Sequence, residues 1–549
     1  MAFNKPSPAN KSWLFFLFFA WSILLTFPLI FHLLDHIPLG SEETGTVPFF
    51  NLWTLQWNIA QLLDGYPAYW DAPIFFPSTG AFAFSEIQPA SAILAAPIWL
   101  GWQSPGLAYN ALVLLFLTLN GWFAFWLLRL WGVTARPALL AGLMAQSIPF
   151  VAQEMGVLQL LALFGFLWPL LFLNRFLIRP NQANGLGLLL GLPVAFFSCG
   201  YYGLFSLIFL PLALLILLQG RRLARRTVGW LLTIGILSLA LVLPSLLKQK
   251  SILDAYNLTR SEQTIQANSA RLIDFGQTLD HNLLYGQILG LQSNDIQRLF
   301  PGLGLLLLAG LGLFHYGKQG RVKTYLLLAA VLALGLAFGP ALRQPYQLLK
   351  DLIPGFAHLR SPFRFVAFIQ LHLVLLAGLG LDNLWSWAGQ RRPIACLIPA
   401  LLAAFALFEI LALPLPLLPL PNMPQNQPWQ AWLSQQTAAP HIVLIPFAAG
   451  PRAADFEQTT RWMLGAGRFP GKMANGYSGF FPPGHANLRE TLAEFPAPAS
   501  LDVLRDYQVD YVVVYHALSD APQAEQVESR LPRLFYDAET QVGVYHLRQ

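Results

Sequence analysis

A chain of 549 residues that is 55% apolar and only 11% charged cannot be wrapped as a water-soluble globule without exposing a very large apolar surface, so its solvent is a bilayer. The net charge of +6 gives no nucleic-acid signal. Fifteen of the 33 basic residues sit in short segments free of Asp and Glu, where anionic lipid headgroups would meet them. The only cysteines, Cys199 and Cys396, lie inside apolar stretches and read as small packing residues, which leaves the redox compartment open.

In chain order, a full helical crossing needs roughly 20 apolar residues, with about 17 as the lower limit. Residues 13–34 qualify and have no small-residue cleavage site behind them, so they are expected to form an uncleaved span. The further spans expected are 107–130, 137–153, 156–178, 184–199, 201–218, 227–247, 301–315, 324–340, 363–384 and 393–417, making about eleven crossings. The stretch 89–102 is shorter and is interrupted by Pro97 and Gly101; it is expected to be re-entrant or interfacial. With that assignment every basic cluster falls on one side: Lys5 and Lys11, Arg129 and Arg136, Arg175 and Arg179, Arg221, Arg222, Arg225 and Arg226, Lys318, Arg321 and Lys323, Arg391 and Arg392. By the positive-inside rule that side is cytoplasmic. The N-terminus is then cytoplasmic, and an odd number of crossings leaves the C-terminal segment outside.

Two long outer loops are expected, 35–106 and 248–300. The first has no Lys or Arg and is dense in aromatics; Phe50, Trp53, Leu55, Trp57 and Leu62 suggest a helix lying in the membrane interface. Beyond residue 417 a Pro-rich linker, 414–428, leads into a sequence of soluble character. Residues 441–447 and 510–515 read as buried strands, 501–507 as a helix and 535–547 as a hairpin. The expected organisation is thus a polytopic α-helical membrane domain, 1–420, followed by a small extracytoplasmic α/β domain, 421–549. No internal repeat stands out, which weakens a secondary-transporter reading.

The chemistry falls on the outer side. Glu86, Asp71, Glu42, Glu43 and Glu154 are the outer carboxylates, and one held among aromatics at a membrane surface has a raised pKa suited to a general base. Each also reads as a solvated charge or a helix cap. Arg360 and Arg364 stand four apart in Leu359-Arg360-Ser361-Pro362-Phe363-Arg364, a spacing that lets two guanidinium groups share a helical face and meet phosphate oxygens; simple snorkelling is the alternative for Arg364. His281, with Asp280 and Tyr285, reads either as a proton donor or as a loop-ordering group. Glu409 is the lone acid well inside an expected span, a functional hypothesis by position. There is no P-loop, Gly-rich nucleotide loop or Cys/His zinc spacing, so ATP is not read directly.

Asn51-Leu52-Trp53 followed by Trp57, Ile74-Phe75-Phe76-Pro77, Phe82-Ala83-Phe84-Ser85-Glu86, the Leu359 to Arg364 motif and Asn475-Gly476-Tyr477-Ser478-Gly479 resemble a group of bacterial membrane proteins placed with the GT-C superfamily of integral-membrane glycosyltransferases. The resemblance extends over nearly the whole chain and includes the topology. It implies transfer of a sugar from a polyprenyl-phosphate donor, held with its lipid tail between spans, to an extracytoplasmic acceptor. The candidate catalytic residues are then Glu86, Asp71 and Glu154, and the candidate substrate-binding residues Arg360, Arg364, Trp53, Trp57, His281 and Tyr285. Membrane lipid and the lipid-linked donor are the expected partners, with no nucleic acid and no covalently bound cofactor; metal and oligomeric state stay open. One departure stands out: where many GT-C enzymes carry an acid shortly before the loop Trp, this chain has Val47. A lipid-linked solute transporter or flippase, favoured by Glu409, and a non-catalytic assembly protein, favoured by Val47, are the rival readings.

Overall fold

A computed structural model describes residues 12–220, 223–291, 297–314, 319–341, 343–353, 355–391, 393–421, 427–467, 469–518 and 521–547. The topology markers Lys5, Lys11, Arg221, Arg222, Lys318 and Arg392 lie outside the described residues. The chain divides into two compact units, one of residues 1–41, 106–247 and 259–418, the other of residues 42–105, 248–258 and 419–549.

The first unit is helical. Among the described residues, six helices are long and apolar enough to cross a membrane: Pro105–Leu130, Leu158–Ile178, Gly200–Leu218, Arg225–Ala255, Gly320–Ala337 and Pro362–Gly389. Their environments differ: the most apolar window of Pro362–Gly389 is 89% buried inside the protein, whereas that of Arg225–Ala255 is 17% buried and faces outward. Two small residues let the central helix meet its neighbour at backbone distance. A Cβ on Gly312 would stand 2.1 Å from the Leu376 carbonyl oxygen, and one on Gly380 would stand 2.0 Å from that of Leu308, so this crossing requires glycine on both helices.

Shorter apolar helices cover Ser12–Leu25, Gln182–Ser198, Leu303–Phe314 and Leu397–Glu409. The stretch 137–153, expected as one span, is interrupted. It forms the helices Ala135–Gln146 and Pro149–Gln153, separated by Ser147 and by Ile148 at φ −54°, ψ 138°. Pro149 has no N–H to continue the ladder and drives the residue before it out of the helical region. The first stretch likewise leaves its helix at Leu25 and resumes only as a single 3-10 turn, Leu29–Phe31.

The second unit contains a five-stranded sheet with β1 (His441–Ile445), β2 (Lys472–Met473), β3 (Tyr511–Tyr515), β4 (Arg533–Asp537) and β5 (Val542–His546) in the order β2-β1-β3-β5-β4. β1 pairs parallel with β2 and with β3, and β5 pairs antiparallel with β3 and β4. Val443 lies opposite Val512, and Val513 opposite Val544. β1, β3 and the β4–β5 hairpin are those expected from the apolar runs, the expected helix is Pro498–Asp506, and β2 is an edge strand not marked by any apolar run.

The boundary at residue 420 does not coincide with this unit. The helix Thr46–Asp64 of the aromatic loop supplies Phe50 and Trp53 to one core with Phe75, Phe82, Phe84, Trp429, Trp462 and Val513. Packing between loop aromatics and the sheet face explains why 42–105 and 248–258 group with 419–549. It also alters the reading of Phe50 and Trp53, whose side chains are enclosed by protein rather than laid in the membrane interface. The segment Pro89–Trp102, expected not to cross, is a helix of 14 residues with Ile93, Leu94, Leu100 and Trp102 exposed; at about 21 Å it falls short of the roughly 30 Å hydrocarbon core.

Candidate functional site

In the first unit the break at Pro149 puts an ionisable residue where an unbroken helix would have continued. Glu154 begins the 3-10 turn Glu154–Gly156 and is buried. Its Oε1 accepts a hydrogen bond from Gln153 Nε2 at 2.9 Å. Gln153 is itself fixed: its Oε1 accepts the Arg298 N–H at 2.7 Å, and its carbonyl accepts the Ser41 N–H at 3.1 Å. From the central helix, Gln370 accepts the Phe150 N–H at 2.9 Å and donates to the Leu299 carbonyl at 3.1 Å. The broken segment is therefore pinned on both sides.

Two arginines, Arg364 and Arg360, act electrostatically on Glu154, and Arg260 and Tyr201 in turn interact with those two arginines. Arg364, in the 3-10 turn Pro362–Phe365, lays its guanidinium carbon 4.3 Å from the centroid of the Tyr201 ring, a cation–π contact. The Arg360 N–H donates to the Tyr201 hydroxyl at 3.2 Å. Arg260 is half-buried, and its pKa falls to about 10, first because burial disfavours the charged form and then through repulsion by Arg360; Tyr201 opposes the shift and Arg364 adds to it. Burial pushes the Glu154 carboxyl up, against the pull of Arg364, the Gln153 hydrogen bond and Arg360. Arg360 and Arg364 both repel the Arg260 charge and both favour the charged form of Glu154, so cations outnumber the one carboxylate in this group.

The arrangement contains two of the expected substrate-binding residues, Arg360 and Arg364, and one expected carboxylate, Glu154. Sequence reasoning missed Arg260, Tyr201 and Gln153. Arg260 is one of three arginines in the expected loop 248–300, with no motif around it, and Tyr201 reads as one more interfacial aromatic at the start of a span.

The other candidates have local roles. Glu409 is 1% exposed and serves the N-terminus of the helix Leu303–Phe314: its Oε2 accepts the Leu303 N–H at 2.9 Å, and its Oε1 accepts the N–H groups of Gly304 and Leu305. The Tyr285 hydroxyl donates to Glu409 Oε2 at 2.8 Å, and the tyrosine pKa is pushed up to about 12, first by burial and then by that carboxylate. Such a carboxylate completes a helix end, which removes the observation that favoured transport. His281 is half-buried with its Nε2 making no hydrogen bond among the described residues, and burial pulls its pKa down. Asp280 pairs with Arg298 at 2.9 Å.

In the second unit Asp71 is exposed and accepts the Gly80 N–H at 2.7 Å, bracing its own loop. Glu86 is half-buried in a segment held by Gln249, whose side chain donates to the carbonyls of Ala83 and Ser85. Trp53 stacks between Phe50 and Trp57, and the Trp57 indole N–H donates to the Tyr69 carbonyl at 3.0 Å. Val47 lies in the first turn of its helix, its carbonyl accepting from Asn51 at 2.9 Å; no carboxylate stands there.

No protein-family model and no curated protein matches the sequence. Among solved structures the chain is similar to the arabinofuranosyltransferase AftD from Mycobacteria, with a TM-score of 0.60 and 15% identity over 99% of this chain and 40% of that one. It therefore spans less than half the length of AftD. The apo oligosaccharyltransferase of Archaeoglobus fulgidus aligns at TM-score 0.52 and 13% identity, over 99% of this chain and 75% of that one. ArnT from Cupriavidus metallidurans, bound to undecaprenyl phosphate, aligns at 0.52 and 11%, over 98% of this chain and 99% of that one. At such identities the likeness is one of fold, and the chain has the fold of the GT-C membrane glycosyltransferases.

Proposed function

We propose that this protein is a membrane glycosyltransferase that moves a sugar from a polyprenyl-phosphate donor to an extracytoplasmic acceptor. The observation that carries the reading is the grouping of Arg260, Arg360 and Arg364 around Tyr201 with the buried Glu154. In the proposed reaction Glu154 takes the proton of an acceptor hydroxyl, the acceptor oxygen bonds to the anomeric carbon, and the bond from that carbon to the phosphate oxygen breaks. The electron pair stays on the departing lipid phosphate, whose added negative charge the arginines stabilise. Electrostatic stabilisation of charge that develops in the transition state commonly lowers the barrier more than any other single effect. A carboxyl pushed up by burial is a stronger base than a solvated one, which suits the proton-taking role. ArnT, of the same fold, binds undecaprenyl phosphate, which supports a lipid-phosphate donor.

The proposal includes about eleven crossings, a cytoplasmic N-terminus, an outer C-terminal domain, and Glu86 and Asp71 as further outer-side carboxylates. Its test is sugar transfer by the purified full-length protein, reconstituted with a panel of polyprenyl-phosphate sugars and a mixed polysaccharide acceptor. Transfer by the wild-type protein and its loss in Glu154→Gln support the reading. Full activity in Glu154→Gln removes Glu154 from it, and release of labelled lipid-linked solute across the vesicle membrane without transfer replaces it with transport.

A further inference from the structure

A second constellation, with no part in the reaction above, lies just after the 3-10 turn Leu29–Phe31. His32, Asp35 and His36 offer ligand atoms that all lie within 4.8 Å of one another. The carboxylate Oδ1 of Asp35 is 3.5 Å from His32 Nδ1 and 3.2 Å from His36 Nδ1. Donors at 2.0–2.1 Å from a tetrahedral zinc ion stand about 3.3 Å apart, so the two carboxylate–imidazole separations already match edges of a coordination tetrahedron.

The turn that brings the three together is built in. The His36 N–H donates to the His32 carbonyl at 3.1 Å, closing one helical turn and bringing the two imidazole rings to 4.5 Å between centroids. Asn110, fully buried in the helix Pro105–Leu130, donates from one side-chain nitrogen to the Leu33 carbonyl at 3.0 Å and the His36 carbonyl at 2.7 Å. The Leu39 N–H then donates to the Pro416 carbonyl at 2.9 Å. The backbone is thereby fixed before any ligand arrives, which lowers the ordering cost of binding one. Inside this turn His36 Nδ1 is buried and makes no hydrogen bond among the described residues, with the Asp35 carboxylate as its charged neighbour at 3.2 Å. A buried nitrogen that lacks a hydrogen bond is costly unless something else accepts its lone pair.

We propose that His32, Asp35 and His36 form a binding site for a divalent transition-metal ion of the zinc class. Two imidazoles and one carboxylate are the donor set that zinc, cobalt and nickel share, and that magnesium and calcium, which require mostly oxygen, do not. The side chain of Asp35 is 66% exposed, which leaves the outward coordination positions to water. A bound ion ties the segment just after the 3-10 turn Leu29–Phe31 to the strand residues that follow it, and this holds whether or not the chain transfers sugars.

The test uses full-length protein in detergent micelles, purified through a histidine-free tag and stripped with a chelator. Zinc binding is followed by calorimetry and cobalt binding by visible absorption. The expected result is one equivalent of zinc per chain, displacing cobalt that shows the intense bands of a four-coordinate ion. Binding is lost in His32→Ala/His36→Ala and weakened by about tenfold or more in Asp35→Asn. Circular dichroism of the variants should match the wild type, since the substituted side chains are partly exposed. Absence of saturable zinc binding overturns the proposal, as does the same stoichiometry and affinity in the double histidine variant.

Discussion

The Tyr201 ring carries the Arg364 guanidinium 4.3 Å from its centroid, while its hydroxyl accepts the Arg360 N–H at 3.2 Å. One side chain at the start of Gly200–Leu218 thereby holds the backbone at Arg360 and the guanidinium of Arg364. A cation–π contact is worth about 0.5–2 kcal/mol. Tyr201→Ala is expected to weaken binding of a polyprenyl phosphate by about 3- to 30-fold, and Tyr201→Phe, which keeps the ring and removes only the hydroxyl, by less. Titration of the lipid phosphate onto each variant checks this; equal losses in the two would show that the hydroxyl, and not the ring, carries the effect.

Because burial raises the Glu154 pKa, the carboxylate form needed to take a proton is lost at a higher pH than for a solvated carboxyl. The rate of transfer should therefore rise with pH through a limb lying above the ordinary glutamate value of 4.5. Placing alanine at Arg364, the cation that opposes the shift most, should move that limb further up, because a charge favouring the carboxylate has been removed. A pH–rate profile with its limb unmoved in Arg364→Ala would separate Glu154 from the arginines.

Glu409 receives three backbone N–H groups and the Tyr285 hydroxyl. Glu409→Ala leaves those donors buried without an acceptor, at a cost of about 3 kcal/mol or more; Glu409→Gln keeps one acceptor oxygen and should cost less. Thermal unfolding in micelles should rank wild type above Gln and Gln above Ala. A solute-transport defect in Glu409→Gln without any loss of stability would instead revive the transport reading.

His485, in the second unit, is 4% exposed and packed by Phe75, Phe447, Phe456 and Phe481. Burial, with a smaller contribution from Arg489, takes its pKa from 6.5 to about 4. The unfolded chain therefore binds a proton below pH 6.5 that the folded unit refuses until about pH 4. Stability from this residue is complete above pH 6.5 and declines as the pH falls towards 4, by about 3 kcal/mol in all. Unfolding monitored between pH 7 and pH 4 should show a shallower decline in His485→Gln than in the wild type; parallel curves contradict this assignment.

Apolar run lengths made the membrane class legible, and the runs at 441–447 and 510–515 marked the strands β1 and β3, because both patterns are local. The break at Pro149 was written in the sequence as an Ile-Pro step, yet an apolar run of sufficient length on either side concealed it. What did not read was tertiary. Trp53 and Trp57 look like interfacial or ligand-stacking aromatics, and only the sheet face they pack against turns them into core. Arg360 and Arg364 stood out by their spacing in one motif. Arg260 and Tyr201 join them from distant segments, and Glu409 reads as a charge in a span until the end of another helix is placed against it.

If Arg260, Arg360 and Arg364 hold a lipid phosphate as proposed, binding of undecaprenyl phosphate to the purified full-length protein measures it most directly. The expected result is saturable binding that inorganic phosphate weakens, that each single Arg→Ala substitution reduces by about tenfold or more, and that the triple variant loses while remaining folded. Binding of equal strength in the folded triple variant would contradict it.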